Sequence, residues 1–338
     1  MSKPGATINN NLQQALGHEP VQAREATQPS EPRPAAESRT LAQLVQKRLE
    51  KYVSLLPAVL AGDDPDAVHD VRVWSRRLQQ SVTALFPKPR PAKVRRLRRP
   101  LRRVRRFLGE WRNCDVVLEM VLREQRRTRS KAKRQAWEQV RQHLLQKRSD
   151  QVARARKKLL RQDLVDFSGR IGKLIDQPRD EENAEALTVR LRAGIEAAWS
   201  RWESSLAQAM KTREPRDTHA LRIATKAMRY RTELLHDLGD ASTQPLLGWL
   251  KELQETLGLW HDRQVLYQMI AEALARPEFL LQESDAARTL LTVLEKDRSQ
   301  QGTATDKIFR LALEHTGRKQ METWIKKTPQ ELASPDRA

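Results

Sequence analysis

Residues 69–76 read His-Asp-Val-Arg-Val-Trp-Ser-Arg, and residues 219–226, 150 positions later, read His-Ala-Leu-Arg-Ile-Ala-Thr-Lys. Both stretches place a His, an Arg and a further basic residue at positions i, i+3 and i+7, which lie on one face of an α-helix. Apolar and small residues run through each stretch at spacings of three and four, as far as Leu85 in the first and Leu235 in the second. The spacing predicts two amphipathic helices of the same design.

A second pair of matching segments lies at nearly the same offset. Residues 108–113 read Leu-Gly-Glu-Trp-Arg-Asn, and residues 257–262 read Leu-Gly-Leu-Trp-His-Asp. Two matches in the same order, separated by nearly equal lengths of chain, indicate an internal duplication. The sequence therefore predicts two copies of one helical bundle, related by a pseudo-twofold axis.

Helical periodicity continues through most of the remaining chain, and no segment has the pattern of a β-strand. Gly is scarce, with 12 residues, and charged residues make up 31% of the chain, a mixture that favours long amphipathic helices. We therefore expect an all-α fold, in which Asp64 and Pro65 start one helix and Pro100 bends another. Residues 1–38, rich in Pro, Gln, Glu, Ala and Ser, are expected to form a disordered tail.

The polar residues 176–183 are the best candidate for a boundary between the two copies. Pro and clustered charges there interrupt the helical periodicity on both sides. The expected division of the chain is a helical unit at 39–328, made of a first repeat at 39–176 and a second at 184–328, followed by a C-terminal tail at 329–338.

The chain is strongly basic, with 63 Lys and Arg against 43 Asp and Glu, a formal net charge of +20 and a pI near 10.5. From His69 to Leu160, 29 Lys and Arg residues stand against seven Asp and Glu. Like charges at i, i+4 destabilise a helix by roughly a few tenths of a kcal/mol per pair. A sequence that accumulates them without acids indicates an anionic partner.

Cysteine usage and hydropathy indicate the cellular compartment in which the protein is expected. The one cysteine, Cys114, cannot form an internal disulfide, which fits a reducing environment. No apolar run is long enough to span a bilayer, and the N-terminus lacks the hydrophobic region of a secretory signal. We therefore expect a cytoplasmic protein without a membrane partner.

The duplicated His-x-x-Arg-x-x-x-Arg/Lys helix, each copy followed by a Leu-Gly-x-x-[Arg/His]-[Asp/Asn] segment, resembles the CHAD family (conserved histidine α-helical domain) over residues 39–328. The resemblance implies two four-helix bundles around a basic central pore. It also implies binding of inorganic polyphosphate and association with polyphosphate granules. Carried over position by position, the implied ligand-lining residues are His69, Arg72, Arg76, Arg102, His219, Arg222, Lys226, Arg229, Lys251 and His261.

The sequence departs from the family pattern at two positions. Asn113 stands where the family more often has Asp, and Gln264 stands opposite Asp115 of the first copy. These departures weaken the case for acid-dependent chemistry and leave binding through charge intact.

Two binding functions fit the basic stripes. Inorganic polyphosphate offers dense negative charge and no bases, so forked Arg and point-charge Lys donors suffice, and an aromatic content of 5% fits such a ligand. Nucleic acid stays an alternative, because counterion release acts on any polyanion. Single-strand binders usually interleave aromatics with the basic track, whereas Trp74, Trp111 and Trp260 are expected to pack between helices.

A phosphate-transfer enzyme is the third alternative, through a phosphohistidine or a metal held by His-Asp pairs. Such pairs occur at residues 69–70, 236–237 and 261–262. Adjacent residues on a helix point about 100° apart, and the repeat copies of the first and third pairs lack the acid or the histidine. We therefore expect no catalysis, no metal and no cofactor, and the sequence leaves the oligomeric state open.

Overall fold

The structure, a computed structural model, describes residues 40–62, 64–86, 91–176, 183–277, 279 and 283–332. The described residues form α-helices and one short 3-10 helix, Ala241–Thr243, and no β-strand occurs among them, which confirms the all-α fold class. The helices are α1 (Leu41–Ser54), α2 (Leu56–Ala61), α3 (Pro65–Ala84), α4 (Pro91–Phe107), α5 (Gly109–Arg127), α6 (Lys131–Leu160), α7 (Leu164–Ile175), α8 (Ala184–Thr212), α9 (Pro215–Asp237), α10 (Gln244–Leu274), α11 (Ser284–Glu314) and α12 (Thr316–Leu332).

Local sequence explains where the first helices begin. The Asp64 carboxylate accepts a hydrogen bond from the backbone N–H of Asp66, at 2.8 Å, and Pro65 occupies the first turn of α3, as predicted. Thr40 and Gln43 form a capping box at the start of α1, in which each side chain accepts from the backbone N–H of the other residue. These bonds satisfy N–H groups that the first turn of a helix leaves without partners.

Two large clusters of buried side chains correspond to the two halves of the chain. The first combines α1 to α4 and α7 with the start of α5, the end of α6 and one residue of the second half, Leu234 of α9. The second combines α8, α9 and α12 with the first half of α10 and the end of α11. At its centre Trp199 and Trp202 stack with ring centroids 4.9 Å apart, and Trp202 Nε1 donates to Thr225 Oγ1 at 3.0 Å.

A third cluster joins the halves, and the predicted pair of four-helix bundles does not account for it. It is built from the remaining parts of α5, α6, α10 and α11. Helices α6, α10 and α11 have 30 or 31 residues, about 45 Å, and extend beyond the cores of their own halves. Cys114 lies buried in this cluster, and burial raises the pKa of its thiol to about 11, so the residue packs as an apolar side chain.

The two duplicated basic helices, α3 and α9, pack against each other where the halves meet. The matched Leu-Gly segments differ in structure, because Leu108 separates α4 from α5, whereas Leu257 and Gly258 lie inside the continuous α10. The α3–α9 contact places the two copies of the His-x-x-Arg pattern next to each other.

Two ion pairs join the halves beside that contact. Arg48 on α1, with a side chain only 2% exposed, donates through Nη2 to Asp237 Oδ2 of α9 at 2.8 Å and through Nη1 to the carbonyl of Arg77 at 2.9 Å. Arg77 on α3 in turn donates to Glu233 of α9. Both acids come from the second half and both cations from the first, so the pairs fix the relative position of α3 and α9.

Several predicted boundaries lie outside the described residues: the tail at 1–38, residues 177–182 of the polar segment, and residues 333–338. Around the polar segment, α7 ends at Ile175 and α8 begins at Ala184, and α12 continues to Leu332, past the boundary expected at residue 328. The repeat limits and the bend at Pro100 stay predictions. No helix in the described part of the chain has the length and apolarity needed to cross a membrane.

Candidate anion-binding site

Helix α3 carries His69, Arg72 and Arg76 at the predicted spacing. Arg72 and Arg76 are half-buried, whereas His69, near the start of the helix, is exposed. The Arg72 guanidinium donates through Nη1 to the backbone carbonyl of Arg105 on α4, at 2.7 Å. This bond holds Arg72 at the junction of α3 and α4.

Helix α9 carries the matching stripe, His219, Arg222 and Lys226, and all three side chains are half-buried. Arg222 Nε is buried and has no hydrogen-bond partner among the described residues. A buried guanidinium nitrogen without an acceptor is unfavourable in the free protein, and the oxygen of a bound anion would satisfy it.

The two stripes lie close enough for their charges to act on one another. Burial lowers the pKa of Lys226 from 10.5 to about 6, and the charges of Arg222, Arg76 and Arg72 add to the effect. The pKa of Arg72 is likewise lowered, to about 10. Burial is the largest cause, and the charges of Arg76, Arg112 and Arg222 also lower it. Since charge effects fall off with distance, these side chains of α3 and α9 form one group. We call Arg72, Arg76, Arg222 and Lys226 the central cluster.

His261 and Asp262 on α10 border the central cluster. The His261 and His219 rings lie with their centroids 5.3 Å apart. Burial lowers the pKa of His261 to about 3, and the charges of Arg222, His219, Lys226 and Arg72 lower it further in that order. Burial raises the pKa of the Asp262 carboxyl and outweighs the opposite effect of Arg222 and the other nearby cations.

The structure brings seven of the ten sequence-predicted residues together in this region, and a place in the site for the other three stays a prediction. Arg102 is exposed on α4, and Arg229 is half-buried one turn beyond Lys226 on α9. Lys251 is exposed on α10, with its Nζ 4.0 Å from Glu255 Oε1. The seven that lie together are His69, Arg72, Arg76, His219, Arg222, Lys226 and His261.

Two arginines outside the predicted set also belong to the region. Arg105 on α4 donates through Nη1 to the carbonyl of Ser75, at 3.1 Å, and through Nη2 to Gln79 Oε1, at 2.5 Å, so its guanidinium lies against α3. Arg112 lies near enough to lower the pKa of both Arg72 and His69. A signal for Arg112 exists in the sequence, because the repeat aligns it with His261.

The arrangement suits a ligand with several negative oxygens. Six basic side chains from both halves lie in or beside the central cluster: Arg72, Arg76, Arg105, Arg112, Arg222 and Lys226. The Asp262 carboxylate lies near enough to act on Arg222 and Lys226. Half-buried like charges destabilise the free fold, and an anion that accepts their hydrogen bonds removes that cost. Within the described ranges, no three His, Cys, Asp or Glu side chains are grouped so that they could hold a metal ion.

Comparison with known proteins relates the chain to one family. The sequence model of the CHAD domain matches residues 43–271. The crystal structure of the CHAD domain from the plant Ricinus communis covers 88% of this chain and 97% of its own chain, with a TM-score of 0.60 and 22% sequence identity. PptA from Streptomyces chartreusis covers 81% of this chain and 98% of its own, with a TM-score of 0.64 and 17% identity. No curated protein sequence matches.

Proposed function

Because the chain belongs to the CHAD domain family, some of whose members bind polyphosphate, we propose that it binds inorganic polyphosphate in the central cluster without catalysing a reaction. The ligand-lining residues we propose are His69, Arg72, Arg76, Arg105, Arg112, His219, Arg222, Lys226 and His261. We extend the proposal to association with polyphosphate granules in the cytoplasm.

One observation carries the proposal. Basic side chains from both copies of the repeat converge where α3 meets α9 and are half-buried there, and the four residues of the central cluster are all basic. A solvated helix face would leave such charges in water at little cost, but burial lowers the pKa of Lys226 to about 6. A phosphate polymer supplies the missing negative charge along its whole length.

Nucleic acid is the alternative ligand, and the aromatic residues do not favour it. Trp111 and Trp260 are buried, with 0% and 6% of their surfaces exposed, and Trp74 packs against the first core. Stacking on aromatic side chains is the usual way to hold unpaired bases. These tryptophans pack against the helices. A ligand without bases does not need aromatic side chains on which to stack.

The proposed function is tested by competition between polyphosphate and single- or double-stranded nucleic acid, at matched phosphate and salt concentrations. We expect polyphosphate to displace both nucleic acids. We also expect the logarithm of its affinity to fall linearly with the logarithm of salt concentration, with a slope of roughly −0.7 per neutralised phosphate if the polymer behaves as a flexible single strand. Tighter binding of nucleic acid, a flat salt response, or phosphate release over many turnovers would each contradict the proposal.

Binding should strengthen as the pH falls towards about 6. In the free protein, Lys226 is mostly neutral above its pKa of about 6. A bound polyanion raises that pKa, so binding takes up a proton, and affinity rises by up to about tenfold per pH unit between the free and bound pKa values. Below the free pKa this contribution becomes constant.

A pH series of dissociation constants for wild type and Lys226→Arg measures this effect. The guanidinium of the variant stays protonated throughout the range, so its affinity should change much less with pH. An equally steep pH dependence in both proteins would show that Lys226 is not the group that takes up the proton.

A further inference from the structure

A cavity of about 440 Å³ opens on the second half of the protein, between α8, the start of α10 and α12. Small-molecule sites in proteins occupy roughly 300–1,000 Å³, so the space suits a ligand of that class. Pro245 at the cavity and His261 beside the central cluster lie about 24 Å apart along the continuous α10, at a rise of about 1.5 Å per residue. The cavity is therefore separate from the central cluster. We call it the α12 cavity, and its lining includes Pro245, Leu246, Lys319, Thr323, Trp324 and Lys327.

Part of the lining of the α12 cavity is apolar and contains an aromatic ring. Leu246 is 1% exposed and belongs to the second core, and Pro245 precedes it in the first turn of α10. The Trp324 indole is half-buried and packs against the same core. Planar rings, including nucleobases, stack favourably on an indole. This part of the lining therefore suits the ring of a ligand.

Hydrogen bonds hold the Trp324 indole in one orientation. Its Nε1 donates to Ser242 Oγ at 2.8 Å, and Ser242 Oγ in turn donates to the Asp240 carboxylate. Arg192 on α8 donates through Nη2 to the same carboxylate at 2.9 Å, and its guanidinium carbon lies 5.3 Å from the centre of the indole ring. The Arg192 and Asp240 side chains are only 14% and 12% exposed. A ring held by such a network is oriented before a ligand arrives, which lowers the entropy cost of binding.

Two lysines on α12 bring positive charge to the same cavity. Lys319, Thr323 and Lys327 recur at every fourth position, so they lie along one side of the helix. Both lysines are exposed, and no carboxylate pairs with either of them in the described part of the chain, whereas Arg318 on the same helix pairs with Glu322 at 2.9 Å. A lysine ammonium on its flexible stem is a common donor to phosphate. The lysines therefore provide a place for an anionic group beside the apolar lining.

We propose that the α12 cavity binds a nucleoside monophosphate, with the base against Trp324 and Pro245 and the phosphate at Lys319 and Lys327. This class of ligand uses both parts of the lining at once. A phosphate without a base would use only the lysines, and an uncharged ring would use only the apolar part. The proposal concerns a second ligand at a separate site, so it holds whether or not the central cluster binds polyphosphate.

Isothermal titration calorimetry of the full chain with adenosine monophosphate as the probe tests the proposal. We expect one molecule to bind per chain. Adenosine and ribose 5-phosphate, which each lack one of the two recognised groups, should bind at least about tenfold more weakly. No binding of the monophosphate, or equally tight binding of either fragment, would overturn the proposal.

The double variant Lys319→Gln, Lys327→Gln separates the two parts of the lining. It should raise the dissociation constant of adenosine monophosphate about tenfold and leave that of adenosine within about twofold of wild type, because only contacts to phosphate are removed. Both side chains are exposed, so the variant keeps the fold. Trp324→Leu should weaken the binding of both compounds, with thermal melting as the check on folding.

The matched control is Lys211→Gln with Lys326→Gln, which removes the same charge from exposed positions of α8 and α12 outside the cavity. Its dissociation constant for adenosine monophosphate should stay within about twofold of wild type, since exposed charges act through a screened field. Arg222→Ala with Lys226→Ala, which changes the central cluster, should also keep its affinity for the nucleotide. Equal losses from the control and the cavity variant, or a loss confined to the central-cluster variant, would overturn the proposal. Failure of wild type to bind polyphosphate would instead overturn the proposed function.

Discussion

Replacing Arg72 and Arg76 together by Ala should weaken polyphosphate binding by roughly tenfold to several hundredfold. Charge-assisted hydrogen bonds contribute about 1.5–3 kcal/mol each, and partial exposure of the two side chains reduces that range. The same loss is expected for Arg222→Ala with Lys226→Ala. Both pairs contribute to one cluster at the α3–α9 contact, so we expect a single phosphate chain to touch both.

The control for this comparison is Arg126→Ala with Arg129→Ala, whose side chains are exposed near the end of α5 and beyond it. Affinity is measured by titration at fixed salt, and helical circular dichroism verifies that each variant folds. The two motif variants are not expected to lose thermal stability through their charges, because the cluster is mutually repulsive in the free protein. If the control pair lost as much affinity as the motif pairs, net charge alone would account for binding.

Replacing Arg48 by Met should destabilise the fold by about 3–5 kcal/mol, the usual cost of removing one partner of a buried ion pair. The Arg48 side chain is 2% exposed and bonds both Asp237, 2.8 Å away, and the carbonyl of Arg77. The variant leaves the Asp237 carboxylate and that carbonyl without their donor. Since Asp237 belongs to α9, the loss also loosens the contact between the halves.

Chemical denaturation of wild type and variants measures this effect. The double variant Arg48→Met, Asp237→Leu should recover much of the lost stability, because two apolar residues leave no uncompensated charge. Arg123→Met is the matched control, since its pair with Glu119 is exposed on α5 and an exposed pair of this spacing contributes about 0.3–0.5 kcal/mol. A loss at Arg48 no larger than at Arg123 would mean that the buried pair does not hold the halves together.

The sequence by itself determined the features that depend on nearby residues. Helix α3 begins at Pro65 because the Asp64 side chain bonds the backbone two residues on, and its core face follows from apolar residues at spacings of three and four. The His-x-x-Arg stripes follow from the same periodicity. The duplication was visible because each copy repeats both motifs in order.

The tertiary structure decided which of these stripes meet. Arg102 and Lys251 are counterparts in the repeat and both are exposed, yet Arg102 lies near enough to Arg105 to lower its pKa, whereas Lys251 Nζ lies 4.0 Å from Glu255 Oε1. Periodicity gives the side of a helix on which a residue lies, but the rotation and neighbours of that helix depend on packing between distant segments.

The burial of Arg48 is a second feature that the local sequence does not predict. It stands among Leu44, Val45 and Leu49, where its charge favours an exposed position, yet its side chain is buried. Its partner Asp237 lies 189 residues away, and only the packing of α9 beside α1 and α3 brings the two together. A charge is buried where the fold supplies an opposite charge and hydrogen bonds, and such partners come from segments whose contact no local pattern specifies.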